Sequence, residues 1–140
     1  MKNILIIQGG GRPNGNTAQL INSFIAGAKE CGHSIELISL IKNEVKGCLG
    51  CNACRYGKPC IQKDSFNNLI PRIKDADCIV FASPLYFWTM SSRIKAFIER
   101  FYCIAEEDPN PDKPEKILQF LHISSTIKKN VGGCVHVTYR

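Results

Sequence analysis

Three short apolar runs, alternating with amphipathic helical patterns, limit this chain to one class of fold. Ile4–Ile7 is continuously apolar and runs into glycines, as expected of a strand that is buried on both faces of a parallel sheet. Ser34–Leu40 and Asp77–Pro84 are predicted as two further strands. Because strands and helices alternate, we expect an α/β fold in which helices cover both faces of a doubly wound parallel sheet.

The helices are predicted from apolar residues that recur at helical spacing. Asp64 is the expected N-cap of the second helix, and Pro71 is expected either to kink that helix or to lie close to its start. The predicted helices run from Asn16 or Thr17 to just before Gly32, within residues 64–76, and over Met90–Cys103.

The C-terminal part is less regular. Glu106–Pro114 contains three prolines and is expected to form a loop. The runs "KILQFLHIS" and "GCVHVTYR" are predicted strands, but only about eight residues separate them, and a parallel crossover needs about a dozen or more. We therefore expect a hairpin, an edge strand with a loose end, or a poorly ordered tail. The chain is predicted to be one domain over residues 1–140, clear over 1–105 and divergent over 106–140.

Charge and hydrophobicity narrow the partners of the chain. Among its 140 residues 18 are Lys or Arg and the net charge is +6, yet these residues are scattered, so we expect no nucleic-acid partner. No apolar run approaches the ~20 residues that span a bilayer, so we expect no membrane partner. The first apolar run ends in glycines instead of a cleavage site, which predicts a cytoplasmic location.

The glycine-rich segment "QGGGRPNGNT" (Gln8–Thr17) lies where the first strand passes into the first helix. Glycines permit a sharp turn with exposed N–H groups, and Asn16 and Thr17 can cap the helix and donate to an anion at its positive end. The segment matches neither the dinucleotide fingerprint nor a P-loop. It predicts a phosphate-binding site, with a glycine-rich turn that binds nothing as the alternative.

The aromatic segment "ASPLYFWTMSS" (Ala82–Ser92) follows the third strand, at the sheet edge where α/β proteins bind ligands. Pro84 fixes a stiff bend, and Tyr86, Phe87 and Trp88 place three aromatic side chains in one loop. This predicts a surface for a flat apolar ring, with a contact to a neighbouring subunit as the alternative.

The cysteine segment "KGCLGCNACRYGKPC" (Lys46–Cys60) has C-x2-C-x2-C-x5-C spacing. Three thiolates at this spacing, and a fourth that returns after Gly57 and Pro59, form the ligand set that a [4Fe-4S] cluster needs. Redox-active thiols and a zinc or structural site are the alternatives. The candidate metal ligands are Cys48, Cys51, Cys54 and Cys60. The other cysteines, which lie in apolar contexts and are expected to be buried small hydrophobic residues, are Cys31, Cys78, Cys103 and Cys134.

In order and spacing, the three segments resemble the flavodoxin-like NAD(P)H-dependent FMN reductases, including the iron-sulfur flavoproteins, over about residues 1–105. The resemblance is carried by "GGGRPNGNT", "GCLGCNACRYGKPCIQKDSF" and "ADCIVFASPLYFWTMSSRIKAFIERF". It implies a flavodoxin-like three-layer α/β/α fold, FMN as the cofactor and NAD(P)H as the co-substrate. It also implies that electrons pass to a quinone, a flavin or another small-molecule or protein acceptor, and that the protein forms a homo-oligomer. No side chain is required as a catalytic acid or base.

The resemblance also assigns site residues. Gly10 stands where the family often has Ser. The residues implied to hold the FMN phosphate are Gly10, Arg12, Asn14, Asn16 and Thr17, and those implied to line the isoalloxazine ring are Pro84, Leu85, Tyr86, Phe87 and Trp88. The likeness to iron-sulfur flavoproteins places the [4Fe-4S] cluster on the four cysteines of the cysteine segment.

Beyond about Asp108 the resemblance fades, because the family continues through further strands and helices. The C-terminal part of the fold is therefore expected to be incomplete, with Ser124, Ser125 and Thr126 as substitutes for a flavin-holding loop. Two other functions stay open at this point. One is an electron carrier without its own NAD(P)H reaction, and the other is a non-enzymatic module that has lost flavin binding.

Overall fold

A computed structural model describes residues 1–55, 58–105, 120–125 and 135–137. The loop predicted over Glu106–Pro114 lies outside the described residues, as do Thr126 and Cys134. No helix in the described part of the chain is both long enough and apolar enough to cross a membrane.

Within the described residues, five strands form one sheet. They are β1 (Asn3–Gln8), β2 (Ser34–Ser39), β3 (Cys78–Pro84), β4 (Phe120–Ser125) and β5 (Val135–Val137). Their order is β2-β1-β3-β4-β5, in which β1 to β4 are parallel and β5 is antiparallel to β4. The first four strands have the flavodoxin-like order, in which ligands bind at the carboxyl edge between β1 and β3.

Four helices lie along the described chain. They are α1 (Asn16–Glu30), α2 (Phe66–Asp75), α3 (Ser92–Glu99) and α4 (Tyr102–Ala105). The first two lie where the sequence predicts them. Ser65, not Asp64, is the N-cap of α2, but the Asp64 carboxylate still accepts the Phe66 N–H at 3.1 Å. Pro71 lies inside α2, which continues through it.

Successive strand residues face opposite sides of the sheet and so build two cores. Leu5, Ile7 and Phe81 pack with α2 and α3, whereas Ile4 and Ile6 pack with α1. Each large apolar side chain that is fully buried stabilises the fold by about 1.5–3 kcal/mol. The doubly wound three-layer α/β/α architecture is therefore confirmed.

The prediction of one helix over Met90–Cys103 is wrong. A turn at Arg100 and Phe101 separates α3 from α4. There the Arg100 N–H donates to the Phe97 carbonyl at 3.2 Å and the Cys103 N–H to the Arg100 carbonyl at 3.2 Å. These bonds span three residues instead of four, which tightens the helix and redirects the chain.

The two described strands beyond Ala105 pair as in the hairpin, which was one of three expected arrangements. β4 pairs with β3 in parallel, and β5 returns antiparallel to β4. The expected incompleteness of the C-terminal part and the single-domain interpretation stay predictions.

Candidate functional site

The glycine-rich segment forms the turn between β1 and α1. The Gly9 N–H donates to the Ala82 carbonyl of β3 at 2.8 Å, which holds the start of the turn against the neighbouring strand. Gly15 is the N-cap of α1 and makes no side-chain cap hydrogen bond, and no acidic residue occupies the first turn of the helix. The positive end of α1 therefore faces the turn, and this arrangement favours a bound phosphate.

Gly10 brings the glycine-rich and aromatic segments together. A Cβ atom at Gly10 would lie 3.4 Å from Pro84 Cδ and 3.6 Å from Thr17 Cβ. Two of the residues predicted to hold a phosphate, Gly10 and Thr17, thus lie beside Pro84, which is predicted to line a ring. Gly10 and Thr17 are buried there, whereas the other three candidate phosphate ligands, Arg12, Asn14 and Asn16, are exposed.

The aromatic segment contains a very tight hairpin. The Tyr86 N–H donates to the Thr89 carbonyl at 2.8 Å, and the Thr89 N–H donates to the Tyr86 carbonyl at 3.0 Å. Phe87 and Trp88 occupy the two central positions with φ of 46° and 62°. This left-handed conformation usually takes Asn-Gly, and it costs an L residue about 1–2 kcal/mol. The sequence contains no conventional signal for this turn.

Three predicted ring-lining residues project from that hairpin into solvent. Tyr86 is 55%, Phe87 100% and Trp88 89% exposed. Pro84 and Leu85 are half-buried beside them. Exposed apolar surface together with a strained backbone is typical of a contact site for a ligand or a partner.

Three buried residues that sequence reasoning missed position the aromatic segment. Ser91 donates its N–H to Ser83 Oγ at 2.7 Å and its hydroxyl to the Gly9 carbonyl at 3.3 Å. A Cβ atom at Gly9 would lie only 2.4 Å from Ile94 Cγ1 and 2.5 Å from Ser91 Oγ, so only glycine lets α3 approach this closely. Serine directly before α3 was the one available signal.

The cysteine segment surrounds a small pocket. Cys48 and Cys51 are exposed, Cys60 is half-buried and Cys54 is buried. The pocket is lined by these four cysteines together with Leu49, Asn52, Ile61, Gln62, Arg100, Tyr102 and Cys103. The structure thus brings all four candidate ligands to one place.

Side chains from outside the cysteine segment hold its backbone. The Cys48 N–H donates to Glu99 Oε2 at 3.1 Å. Gln62 Nε2 donates to the Gly47 carbonyl at 3.0 Å, which ties down the residue before Cys48. These contacts connect the segment to the C-terminal end of α3 and to the residues that precede α2.

A buried ion pair lies beneath the segment. The Arg100 side chain is 1% and the Asp64 side chain 5% exposed, and they form a salt bridge. Both groups also bind Lys46: its N–H donates to Asp64 Oδ2 at 2.9 Å, and Arg100 Nη1 donates to its carbonyl at 3.0 Å. The guanidinium lies over the Phe66 ring, 4.9 Å from its centre.

The ion pair changes the titration of both groups. Burial would raise the pKa of Asp64, but hydrogen bonds from Arg100 and from the N–H groups of Lys46 and Phe66 outweigh burial and lower it. Burial would likewise lower the pKa of Arg100, and the Asp64 carboxylate and then the Cys60 sulfur outweigh burial and raise it. Both groups are charged at neutral pH.

The four thiols have the number and kind of ligands that a [4Fe-4S] cluster takes, and the cluster itself stays a prediction. Zinc needs four ligands around one point, with sulfur at about 2.3 Å. Within residues 1–55, 58–105 and the two short strands that follow, no three His, Cys, Asp or Glu side chains are close enough together to hold one ion. A cubane cluster binds one thiolate at each of its four irons, and four cysteines around one pocket are that donor set.

The remaining cysteines only partly match their prediction. Cys103 is buried as expected. Cys78 is half-buried, and burial, then the charge of Asp77, raises the pKa of its thiol. Cys31 is exposed, so the expectation that it is a buried small hydrophobe is wrong, because it lies at the C-cap of α1.

Comparisons with known proteins agree with this geometry. Residues 2–125 match the family described as NADPH-dependent FMN reductase. Over 134 residues the chain is 31% identical to an iron-sulfur flavoprotein of Methanocaldococcus jannaschii, an alignment that covers 96% of this chain and 61% of that protein. An iron-sulfur flavoprotein of Archaeoglobus fulgidus is 37% identical over 91 residues, which cover 64% of this chain and 45% of that protein.

Solved structures show the same fold. RosB, crystallised with bound 8-demethyl-8-formylriboflavin-5′-phosphate, superposes with a TM-score of 0.69 at 18% sequence identity. The superposition covers 89% of this chain and 52% of RosB. The chain thus spans about half the length of the proteins that it matches.

Proposed function

Because this chain belongs to the NADPH-dependent FMN reductase family, we propose that it binds FMN and passes electrons from NAD(P)H through the flavin to a quinone, a second flavin or another acceptor. The observation that carries this proposal is the close approach of Gly10 to both Thr17 and Pro84. It brings the predicted phosphate-binding turn next to the predicted ring surface at the β1/β3 edge, where proteins of this topology bind their ligands.

Each segment has a separate task in this proposal. The N-terminal end of α1 and the backbone of the glycine-rich segment hold the FMN phosphate, assisted by the exposed side chains of Arg12, Asn14 and Asn16. Pro84 and Leu85 form the floor under the ring, and the hairpin aromatics cover it. Bound FMN supplies the hydride and electron chemistry, so the protein contributes binding and orientation and needs no acid or base of its own.

Exposure of the hairpin also supports a homo-oligomer. Phe87 and Trp88 are 100% and 89% exposed, which is unusual for large apolar side chains beside a binding edge. In this proposal a second copy or the flavin covers them. Light scattering with and without FMN tests the oligomer independently of catalysis.

A second candidate function is an electron carrier in which a [4Fe-4S] cluster and the flavin relay electrons between partners. The specific observation in its favour is the single pocket lined by Cys48, Cys51, Cys54 and Cys60. The four thiolates would ligate the cluster, and Glu99 and Gln62 would fix the backbone that presents Cys48.

The first experiment is an anaerobic FMN titration of the full chain, monitored by flavin fluorescence. The second step measures NADPH oxidation with a quinone as acceptor. We expect saturable binding by the wild type and weaker binding by Tyr86→Ala and Trp88→Ala. Leu37→Ala is the matched control, because it removes a 43% exposed apolar side chain from β2. Equal FMN affinity in all four proteins would contradict the assignment of the aromatic segment.

The later steps of the same experiment separate the candidates. Steady NADPH oxidation with the quinone supports the reductase, whereas FMN binding without NADPH oxidation supports the carrier. No FMN uptake at all would support the non-enzymatic module.

A further inference from the structure

We propose that Arg100 donates hydrogen bonds from Nε and Nη2 to the sulfur atoms of a cluster held by the cysteine segment, and thereby raises the reduction potential of that cluster. The inference rests on the proposed cluster and goes beyond its ligands. It assigns a positioning and potential-setting role to a residue outside the cysteine motif.

Arg100 has hydrogen-bonding capacity that the described residues do not fill. In the described part of the chain, Arg100 Nε and Nη2 are buried and have no hydrogen-bond partner, although Nη1 binds both Asp64 and Lys46. A buried donor without an acceptor costs about 1–3 kcal/mol. Such a group in an otherwise well-paired site indicates a missing acceptor.

Arg100 also lies beside the candidate ligands. Arg100 lines the same pocket as the four cysteines, and its side chain is 1% exposed, so bulk water does not reach the two donors. The acceptor that the donors lack is therefore expected inside the pocket, where the four candidate ligands and Cys103 contribute sulfur atoms to the lining.

The guanidinium of Arg100 is also held in place. The Asp64 carboxylate and the Lys46 carbonyl both accept from Nη1, and the Phe66 ring lies against the face of the guanidinium. A fixed donor does not have to reorganise when charge on its acceptor changes. Adding one electron makes a cluster more negative, so hydrogen bonds from a fixed cation stabilise the reduced state more than the oxidised state.

The test uses iron- and sulfide-reconstituted full-length protein, with the cluster potential measured by EPR-monitored redox titration. The double variant Asp64→Asn/Arg100→Gln removes one positive and one negative charge, so the net charge is unchanged while the donors are lost. We expect its reduced-to-oxidised ratio at a fixed potential to fall at least tenfold, which is about 59 mV for a one-electron couple. Arg100→Lys keeps the charge without the planar fork and should shift the potential in the same direction.

Arg93→Gln is the matched control, because Arg93 is an exposed arginine of α3, the helix whose C-cap is Arg100. Its potential should equal that of the wild type. If the double variant does not fold, Arg100→Lys carries the test alone.

Each outcome has one meaning. Unchanged potentials in the Arg100 variants would overturn the inference while leaving the cluster assignment intact. A wild type that takes up no iron and sulfide would overturn the cluster, and this inference with it, while FMN binding would remain a separate observation.

Discussion

The aromatic segment and the cysteine segment follow opposite principles of construction. In the aromatic segment, apolar side chains stand in solvent on a strained backbone, and Phe87 is 100% exposed. In the cysteine segment, charged side chains lie beneath the backbone and hold it, and Arg100 is 1% exposed. The exposed aromatic side chains can contact a ligand or a partner. Among the described residues, the charged side chains beneath the cysteine segment are already paired with each other, except for Nε and Nη2 of Arg100. Function can therefore be sought in exposed apolar groups in one region and in buried polar groups in the other.

The largest effect is expected from breaking the buried ion pair. Arg100→Gln leaves the Asp64 carboxylate buried without its partner, and such a change costs about 3–5 kcal/mol. The double variant Asp64→Asn/Arg100→Gln leaves no buried charge and should recover much of that loss. Urea unfolding followed by circular dichroism measures both. Equal stability of Arg100→Gln and the wild type would show that the pair does not hold the cysteine segment.

A smaller loss is expected at the junction of the aromatic segment with the sheet. Gly9→Ala places a Cβ atom 2.4 Å from Ile94 Cγ1, and overpacking of this kind costs about 1–3 kcal/mol. It should also weaken FMN binding by displacing α3 from the glycine-rich segment. Gly27→Ala is the control, since a Cβ atom there meets nothing within 4 Å and should stabilise α1 by about 0.8–1 kcal/mol. If Gly9→Ala changed neither the stability nor the FMN affinity, α3 would be able to shift away from Gly9 without cost.

The hairpin predicts opposite effects on stability and binding. Trp88→Gly relieves a left-handed φ of 62°, so it should stabilise the protein by about 1 kcal/mol. Loss of the indole should weaken FMN about tenfold, which is about 1.4 kcal/mol. Trp88→Ala separates the two effects, because it removes the ring and keeps the Cβ atom. Thermal unfolding measures the stability and FMN titration measures the affinity. If Trp88→Gly lowered both the stability and the FMN affinity, the hairpin would not be a strained binding loop.

The smallest effect is expected from pH. The pKa of Asp64 is lowered in the folded state, so its contribution to stability is present above the usual value of 3.8 and is lost as the pH falls below it toward the folded-state pKa. Unfolding free energies measured above and below that pH should differ less in Asp64→Asn/Arg100→Gln than in the wild type. An identical pH dependence in both proteins would exclude Asp64 as a source of acid sensitivity.

The strands and the meeting of two segments at one edge were predictable from sequence, because both depend on local patterns. Apolar runs predict β1 to β3, and loops that follow neighbouring parallel strands must share an edge. The break between α3 and α4 was not predictable, since Arg100 interacts with Asp64, which lies 36 residues earlier. The hairpin turn was also missed, because Phe87 and Trp88 occupy positions that usually take Asn and Gly. The spacing of apolar residues reveals neither contacts between distant residues nor turns made by residues that rarely adopt them.

Helix α3 sets the distance between the aromatic segment and the cysteine segment. Ser91, just before it, is fastened to Gly9 and Ser83, and Glu99 and Arg100 at its other end are fastened to the cysteine segment. Its eight residues measure about 12 Å. Inserting or deleting one residue between these anchors would turn one end by about 100° relative to the other, so either Ser91 or Arg100 would lose its partners. The contacts at both ends therefore fix the length of α3, whereas they do not fix the identity of its surface residues.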